Sequence, residues 1–152
     1  MYIFLDIDGC LNNKDDWKIP YTINKSCLLY FSKLCKAINK KYSPIKIVLI
    51  STWKEGFNKD NNSPQIQNLI DTLSIYGLTI NDKTISVKGK TRQEEIEYYI
   101  RRNNIKEYII LDDDISLYND ISKINIYIVD YHTGFTEKDN KKILKTLKRS
   151  KI

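Results

Sequence analysis

The 152-residue sequence lacks the features that mark membrane-spanning and secreted proteins. No apolar run approaches the ~20 residues that a transmembrane helix needs. No basic segment precedes the first apolar stretch, so we expect no secretory signal. There are only three cysteines, Cys10, Cys27 and Cys35, an odd number without the spacing of a metal site. We expect them to be reduced, and the sequence therefore predicts a cytoplasmic protein with no membrane association.

Linkers, internal repeats and domain boundaries are also missing from the sequence. Hydrophobic residues make up 41% and charged residues 29%, which is typical of a globular protein. The length suffices for one core but not for two, so residues 1–152 are predicted to form a single domain of unknown oligomeric state. The formal net charge of +6 favours a polyanionic partner such as nucleic acid. Lysine, asparagine and isoleucine are frequent throughout, however, and a general compositional bias explains the charge equally well.

Short apolar runs alternate with helical patterns along the chain. Runs rich in β-branched and aromatic residues predict strands at 2–5, 45–50, 108–111 and 124–129, with weaker candidates at 78–80 and 84–87. Helices are predicted over 25–41 and from Pro64 to about Gly77, with Asn24 and Ser63 as N-caps, and two more follow the capping boxes that begin at Thr91 and Thr136. This order predicts an α/β fold with a mostly parallel sheet and right-handed crossovers.

Polar side chains follow three of the predicted strands at the point where each strand ends. The clusters are Asp6 and Asp8, Ser51 and Thr52, and Asp112 to Asp114. The carboxyl ends of parallel strands share one edge of a sheet, where ligands bind. Several carboxylates gathered there form an oxygen-ligand site of the kind that Mg²⁺ prefers. The sequence therefore predicts a Mg²⁺ site for a phosphorylated substrate.

These strand-end segments resemble motifs of the haloacid dehalogenase (HAD) superfamily of phosphatases. Leu5–Gly9 resembles its first motif, Val48–Ser51 its second and Ile109–Asp113 its diacidic fourth motif. The finer pattern is similar to the cap-less HAD domain of Swiss Army Knife RNA-repair proteins. The similar segments are Leu5–Asn12, Ser51–Trp53, Arg92–Ile96, Leu111–Asp114 and Gly134–Thr136. One departure is Phe135, where that branch more often has leucine, whereas Lys54 fits the basic residue that often follows the tryptophan.

The resemblance implies a three-layer, Rossmann-like HAD fold and a role for each matched residue. Asp6 would be the nucleophile that forms an aspartyl-phosphate, and Asp8 the general acid and base. Mg²⁺ would be held by Asp6, Asp8, Asp112 and Asp113, in the case of Asp8 through its backbone carbonyl. Ser51 would hydrogen-bond a phosphate oxygen. The third-motif cation is either Lys90, as in the superfamily at large, or Arg92, as in the RNA-repair branch.

Substrate contacts are expected from four further residues around the same edge. Gly9 permits a sharp bend after the acids, and the N–H of Thr52 lies at a predicted helix start. Trp53 either stacks on a base or packs in the core, and we favour packing. His132, the only histidine, follows a predicted strand and is either a substrate contact or a surface residue.

The length between motifs leaves no room for a cap domain, because only 38 residues separate Ser51 from Lys90. An uncapped site is open to large substrates, so the predicted activity is removal of phosphate from an RNA or DNA end or a nucleotide. The alternatives are a phosphatase of small metabolites or phosphoproteins and a non-catalytic nucleic-acid-binding module. A response-regulator receiver fits poorly, because its paired acids are normally adjacent at the first strand.

Overall fold

The computed structural model describes residues 1–149, and within them five parallel strands form one sheet flanked by four α-helices. The strands are β1 (Tyr2–Leu5), β2 (Lys46–Leu49), β3 (Ile80–Lys83), β4 (Tyr108–Asp112) and β5 (Ile126–Ile128). The helices are α1 (Lys25–Tyr42), α2 (Pro64–Ile75), α3 (Arg92–Arg102) and α4 (Glu137–Arg149). The strand order β3-β2-β1-β4-β5 and the parallel pairing confirm the predicted α/β fold class.

Helices cover both faces of the sheet, which gives three layers. On one face α1, α2 and α4 bury residues such as Phe31, Leu69 and Ile143. On the other face α3 packs Ile96 against Phe4 of β1. The central strands are buried on both faces, which explains why they are almost entirely apolar. The described residues contain no separate cap and no helix that is long and apolar enough to cross a membrane.

The predicted caps of α1, α2 and α3 are present. The side chains of Asn24, Ser63 and Thr91 each accept a hydrogen bond from a backbone N–H in the first turn of their helix. The start of α4 differs in detail, since Asp139 accepts hydrogen bonds from the N–H and the Oγ1 of Thr136. Helix boundaries were therefore well predicted, because each depends on local sequence.

Of the two weaker strand predictions, the one at 84–87 was wrong, and the one at 78–80 overlaps the actual strand only at Ile80. A single strand, β3, runs from there to Lys83 and contains mostly polar residues. It is an edge strand, so its exposed side needs no apolar side chains. Leu78 is buried where the chain leaves α2, and its N–H donates to the carbonyl of Leu73. The apolar residues Ile85 and Val87 are exposed.

The chain order places the ends of β1 and β4 side by side. From β1 the chain continues to β2 and β3 on one side, and it later returns to β4 on the other side. The N–H of Asp6 donates to the carbonyl of Leu111 at 3.0 Å, so the pairing continues past the last residue of β1. Ligands bind at such a switch point in open α/β sheets.

Candidate active site

Three carboxylates meet at the switch point. Oxygens of Asp6, Asp112 and Asp113 all lie within 4.8 Å of one another. Asp6 follows β1 directly and Asp112 is the last residue of β4, so strand pairing fixes their separation. Asp6 is 5% exposed and Asp112 is fully buried. Because buried carboxylates this close together repel one another, they need a compensating cation.

Arg92, the first residue of α3, supplies one such cation. Its Nη1 donates to Oδ1 of Asp6 at 3.2 Å and to Oδ2 of Asp112 at 2.8 Å. Burial alone would lower the pKa of Arg92, but Asp6 and Asp112 outweigh it and raise the pKa above its usual value. Lys90 instead points into solvent and pairs with Glu94 at 3.4 Å. Of the two candidate cations, only Arg92 contacts the carboxylate cluster.

Asp112 is saturated with donors from the protein. Its Oδ1 accepts from the N–H of Asp114 at 3.1 Å, and its Oδ2 accepts from the phenol of Tyr118 at 2.6 Å as well as from Arg92. Burial, followed by the charge of Asp112, raises the pKa of Tyr118, which keeps that phenol protonated as a donor. Asp112 therefore holds Arg92 in place. Asp114 is exposed and caps the short 3-10 helix Ile115–Leu117.

The cluster has more negative charge than Arg92 can offset, and the pKa values of Asp6 and Asp113 reflect it. Burial, and then the charge of Asp112, raises the pKa of Asp6 well above its ordinary value. Burial likewise raises the pKa of Asp113 to about 6. Gly9 has a φ of +86°, and a Cβ there would collide with the carboxylate of Asp113. Three acids against one arginine leave two surplus charges, so a divalent cation with hard oxygen ligands fits this donor set.

Asp8 lies beside the cluster, and two neutral donors hold it. Nδ2 of Asn12 donates to Oδ1 of Asp8 at 2.9 Å, and Nε1 of Trp53 donates to its Oδ2 at 3.0 Å. Asn12 is itself buried and accepts from the N–H of Gly9 at 2.8 Å. This network fixes the turn that follows β1 and keeps the carboxylate of Asp8 at the open side of the site.

The family of HAD domains in Swiss Army Knife RNA repair proteins has a sequence model that matches residues 2–140. The chain belongs to this family. Searches of curated proteins and of solved structures each found no significant match. Membership suggests a HAD-type phosphohydrolase, and the acid cluster of this HAD domain is consistent with the metal dependence that is general in such proteins.

The second motif of the HAD domain follows β2 and faces the same edge. Ser51 is buried and its Oγ accepts from the N–H of Trp53 at 3.2 Å. Its hydroxyl donates to no acceptor among residues 1–149, so it is available to a phosphate oxygen. Thr52 is exposed at the start of the 3-10 helix Thr52–Gly56. Trp53 is only 7% exposed, so its ring packs against the protein.

Lys54 ties this second motif to α3. Its side chain is buried, and its Nζ donates to Oε1 of Glu95 at 3.1 Å and to Oγ1 of Thr84 at 3.0 Å. Glu95 is three residues beyond Arg92 on α3. The buried pair therefore couples the position of Arg92 to the Ser51 loop.

Within residues 1–149, His132 makes no contact with the cluster of Asp6, Asp112 and Asp113. Its Nδ1 contacts Oδ1 of Asp130 at 2.8 Å, and both side chains are more than half exposed. Its ring stacks on Tyr131, which in turn stacks on Trp17. His132 is thus linked through Tyr131 to the segment 12–22, and its role as a substrate contact stays a prediction.

Four residues of this region carried no specific sequence prediction. Asn12 and Tyr118 orient Asp8 and Asp112, and Trp17 and Tyr21 project from the segment 12–22. Trp17 and Tyr21 left a signal, because large aromatic residues are unusual in a polar, proline-containing loop. Asn12 lies in a matched motif without an assigned role, and no local pattern marks Tyr118.

Proposed function

We propose that this protein is a Mg²⁺-dependent phosphohydrolase that forms an aspartyl-phosphate on Asp6 and removes phosphate from a nucleic-acid end or a nucleotide. The observation that carries the proposal is the contact of Asp6 with Arg92 inside a cluster of three carboxylates. A buried carboxylate next to a fixed guanidinium can receive a phosphoryl group, since the guanidinium offsets charge on the equatorial oxygens. Family membership supports the same class of reaction.

In the first step a carboxylate oxygen of Asp6 attacks phosphorus, and the bond from phosphorus to the leaving oxygen breaks. Arg92 and the hydroxyl of Ser51 stabilise the phosphoryl oxygens. Asp8 gives a proton to the leaving oxygen, held for that transfer by Asn12 and Trp53. The position of Asp8 at the open side of the site suits a bulky leaving group.

In the second step Asp8 takes a proton from water, whose oxygen attacks phosphorus and releases phosphate from Asp6. Asp6 and Asp113, with Asp112 beside them, are the side chains that would hold Mg²⁺; the backbone carbonyl of Asp8 is a further ligand that the superfamily implies. The ion would neutralise the surplus charge of these acids and of the phosphate. Asp112 keeps Arg92 aligned through both steps.

The distribution of charge supports a polyanionic substrate. Helix α1 has five lysines and no acid, and α4 has five lysines and an arginine against two acids. These two packed helices carry a net charge of +9, more than the +6 of the whole chain, so the remainder is net −3. A compositional bias spread evenly over the chain does not explain this segregation. The described lysines of both helices are exposed.

The buried, unpaired cysteines are compatible with the reducing cytoplasm that we propose as the location.

The test compares the wild type with Asp6→Asn and with the control variant Asp114→Asn. Each protein is assayed with Mg²⁺ or with EDTA on nucleotides, on 3′- and 5′-phosphorylated RNA and DNA, and on phosphopeptides. We expect Mg²⁺-dependent phosphate release from the nucleic-acid substrates, lost at least about 1,000-fold in Asp6→Asn and retained in Asp114→Asn. The wild type quenched in acid should carry protein-bound phosphate that alkali releases, as an aspartyl-phosphate requires, and Asp6→Asn should carry none. Activity of Asp6→Asn close to that of the wild type would contradict the role of Asp6.

A further inference from the structure

The open side of Asp8 leads into a cleft of about 460 Å³. The segment 12–22 forms one wall, and Thr52 and Trp53 form the other. Its volume falls within the usual range for small-molecule sites. Since Asp8 lines the cleft and faces the leaving group in the proposed reaction, the cleft lies where that leaving group would be.

The chemistry of the lining is aromatic and almost uncharged. Trp17, Tyr21 and Trp53 contribute three rings, and among residues 1–149 Asp8 is the only charged residue that lines the cleft. No arginine or lysine of that part of the chain lines it, in contrast to the carboxylate cluster with Arg92. A second phosphate would meet only the negative charge of Asp8 there. The cleft therefore suits a planar, uncharged group attached to the phosphate that reacts.

Tyr21 is an exposed residue with an unfavourable backbone conformation. It is 48% exposed, and its phenol makes no hydrogen bond among residues 1–149. Its φ of +62° is in the left-handed region, which is unfavourable for a bulky residue. Its ring lies 4.9 Å from that of Trp53 at 66°, so one aromatic edge borders the cleft. Strained residues of this kind persist where the surrounding structure requires them, often in ligand sites.

Trp17 is likewise an exposed aromatic residue that lines the cleft. It is 41% exposed, and its Nε1 donates to Oδ1 of Asn12 at 2.9 Å. Tyr131 stacks on it with ring centroids 5.7 Å apart and an interplanar angle of 25°. This support fixes the indole at the edge of the cleft with little freedom left to lose on binding a ligand.

We propose that the cleft binds the base of the nucleoside from which phosphate is removed, with Tyr21 and Trp17 as its aromatic contacts. This inference rests on the proposed function and specifies its substrate: a terminal nucleoside phosphate. Bases stack on aromatic side chains without strong sequence preference. The preference of the enzyme thus depends on the presence of a base and little on its identity.

The kinetic test compares adenosine 3′- and 5′-monophosphates with ribose 5-phosphate, which has the ester of the 5′-monophosphate but no base. We expect the wild type to prefer a nucleotide by at least about tenfold in kcat/KM. Tyr21→Ala should lose at least about fivefold more efficiency on the nucleotide than on ribose 5-phosphate. The control is Tyr98→Ala, which removes an equally exposed tyrosine on α3, outside the cleft. It should leave both efficiencies unchanged. Equal losses on both substrates would overturn the proposal.

A binding test separates the cleft from the chemistry. Both tryptophans of the chain, Trp17 and Trp53, line the cleft, so their fluorescence reports its occupancy. In EDTA, where no turnover is expected, adenosine monophosphate should change the fluorescence saturably and at least tenfold more tightly than ribose 5-phosphate. Tyr21→Ala should weaken the binding of adenosine monophosphate about fivefold or more, while Tyr98→Ala should not change it.

The outcomes of the two tests are distinguishable. Base-dependent binding without any phosphate release would support the cleft and contradict the phosphatase function. Phosphate release without base preference in either test would support the function and overturn the cleft. Preference for a phosphotyrosine peptide over every nucleotide would also overturn the proposal, since a phenol is another planar, uncharged leaving group.

Discussion

The indole of Trp53 donates a hydrogen bond to Asp8 across the site, with 3.0 Å between Nε1 and Oδ2. The ring itself is 7% exposed, so this edge contact, and not an open face, is what Trp53 offers to the site. The contact fixes one oxygen of the proposed general acid. Trp53 is therefore a positioning residue whose effect should be felt in proton transfer.

Trp53→Phe keeps a buried aromatic ring at this position and removes the donor. We expect kcat to fall about tenfold while KM changes less than about threefold, because a less well placed acid slows leaving-group protonation. The defect should shrink on p-nitrophenyl phosphate, whose leaving group needs little protonation. Steady-state kinetics on a nucleotide and on p-nitrophenyl phosphate measure this effect, and a thermal melt checks folding. An equal loss on both esters would indicate a general structural defect.

Arg92 and Lys90 should differ sharply when each is replaced by alanine. Arg92 bridges Asp6 and Asp112, whereas Lys90 makes one exposed pair of the kind that contributes little. We expect Arg92→Ala to lower kcat/KM at least about 100-fold, or ~2.7 kcal/mol, and Lys90→Ala to lower it less than about twofold. Kinetics at saturating Mg²⁺ test this. A larger loss in Lys90→Ala would reverse the assignment.

The choice between these two cations shows where sequence reasoning ended. Strand ends and helix caps depend on local patterns, so the acids at the ends of β1 and β4 were predicted together with the fold. Lys90 and Arg92 are two residues apart, and the start of α3 and its packing decide which of them faces the acids. Further donors to Asp112 and Asp8 are Tyr118, Asn12 and Trp53, and the contact from Trp53 spans 45 positions. A contact over that separation has no local signature.

The same limit explains the edge strand and the buried Lys54. β3 was mispredicted because pairing with β2, and not an apolar pattern, defines it. Lys54 has its partner Glu95 41 positions away, so its burial could not be read from neighbouring residues. The pattern of the chain thus predicts the layers and the acids, and tertiary contacts decide how the acids are oriented.

Asp113 should make the metal-free protein less stable as pH rises. Its pKa is raised from 3.8 to about 6 in the folded state, so folding takes up a proton between these values. Its contribution to the free energy of unfolding therefore falls as pH increases from about 4 to 6 and stays unfavourable above. Asp113→Asn removes the charge. We expect it to stabilise the metal-free protein at pH 7.5 by about 1 kcal/mol after allowance for solvent screening, or ~2–4 °C in Tm.

Melting curves in EDTA over pH 4–8 measure this difference, which should vanish near pH 4. Adding Mg²⁺ should raise the Tm of the wild type and have little effect on Asp113→Asn, since binding stabilises only the folded state that has the site. Asp114→Asn, at the exposed neighbouring acid, is the control and should follow the wild type. A wild type more stable than Asp113→Asn in EDTA at pH 7.5 would contradict the argument.

The basic layer formed by α1 and α4 begins at the active edge. The N–H of Asn24, which caps α1, donates to the carbonyl of Leu11, and the N–H of Phe135, just before α4, donates to that of Cys10. Both helices therefore start beside the turn that follows Asp8 and extend away from it. A nucleic acid whose end occupies the site can place its backbone phosphates along the exposed lysines. Such binding weakens steeply with salt, because counterions are released.

We expect the wild type to favour a phosphorylated oligonucleotide over a small phosphate ester by at least about tenfold in kcat/KM at low salt, or ~1.4 kcal/mol. Lys36→Glu with Lys145→Glu, one exposed lysine from each helix, should remove most of this advantage and flatten its salt dependence. Arg101→Glu with Arg102→Glu makes the same charge change at the end of α3, on the opposite face, and should cost less than twofold. Kinetics on both substrates at two ionic strengths measure all three proteins. Equal losses in the two double variants would mean that the net charge of the protein, and not this layer, attracts the substrate. Equal efficiencies of the wild type on the oligonucleotide and on the small ester would indicate a phosphatase of small molecules.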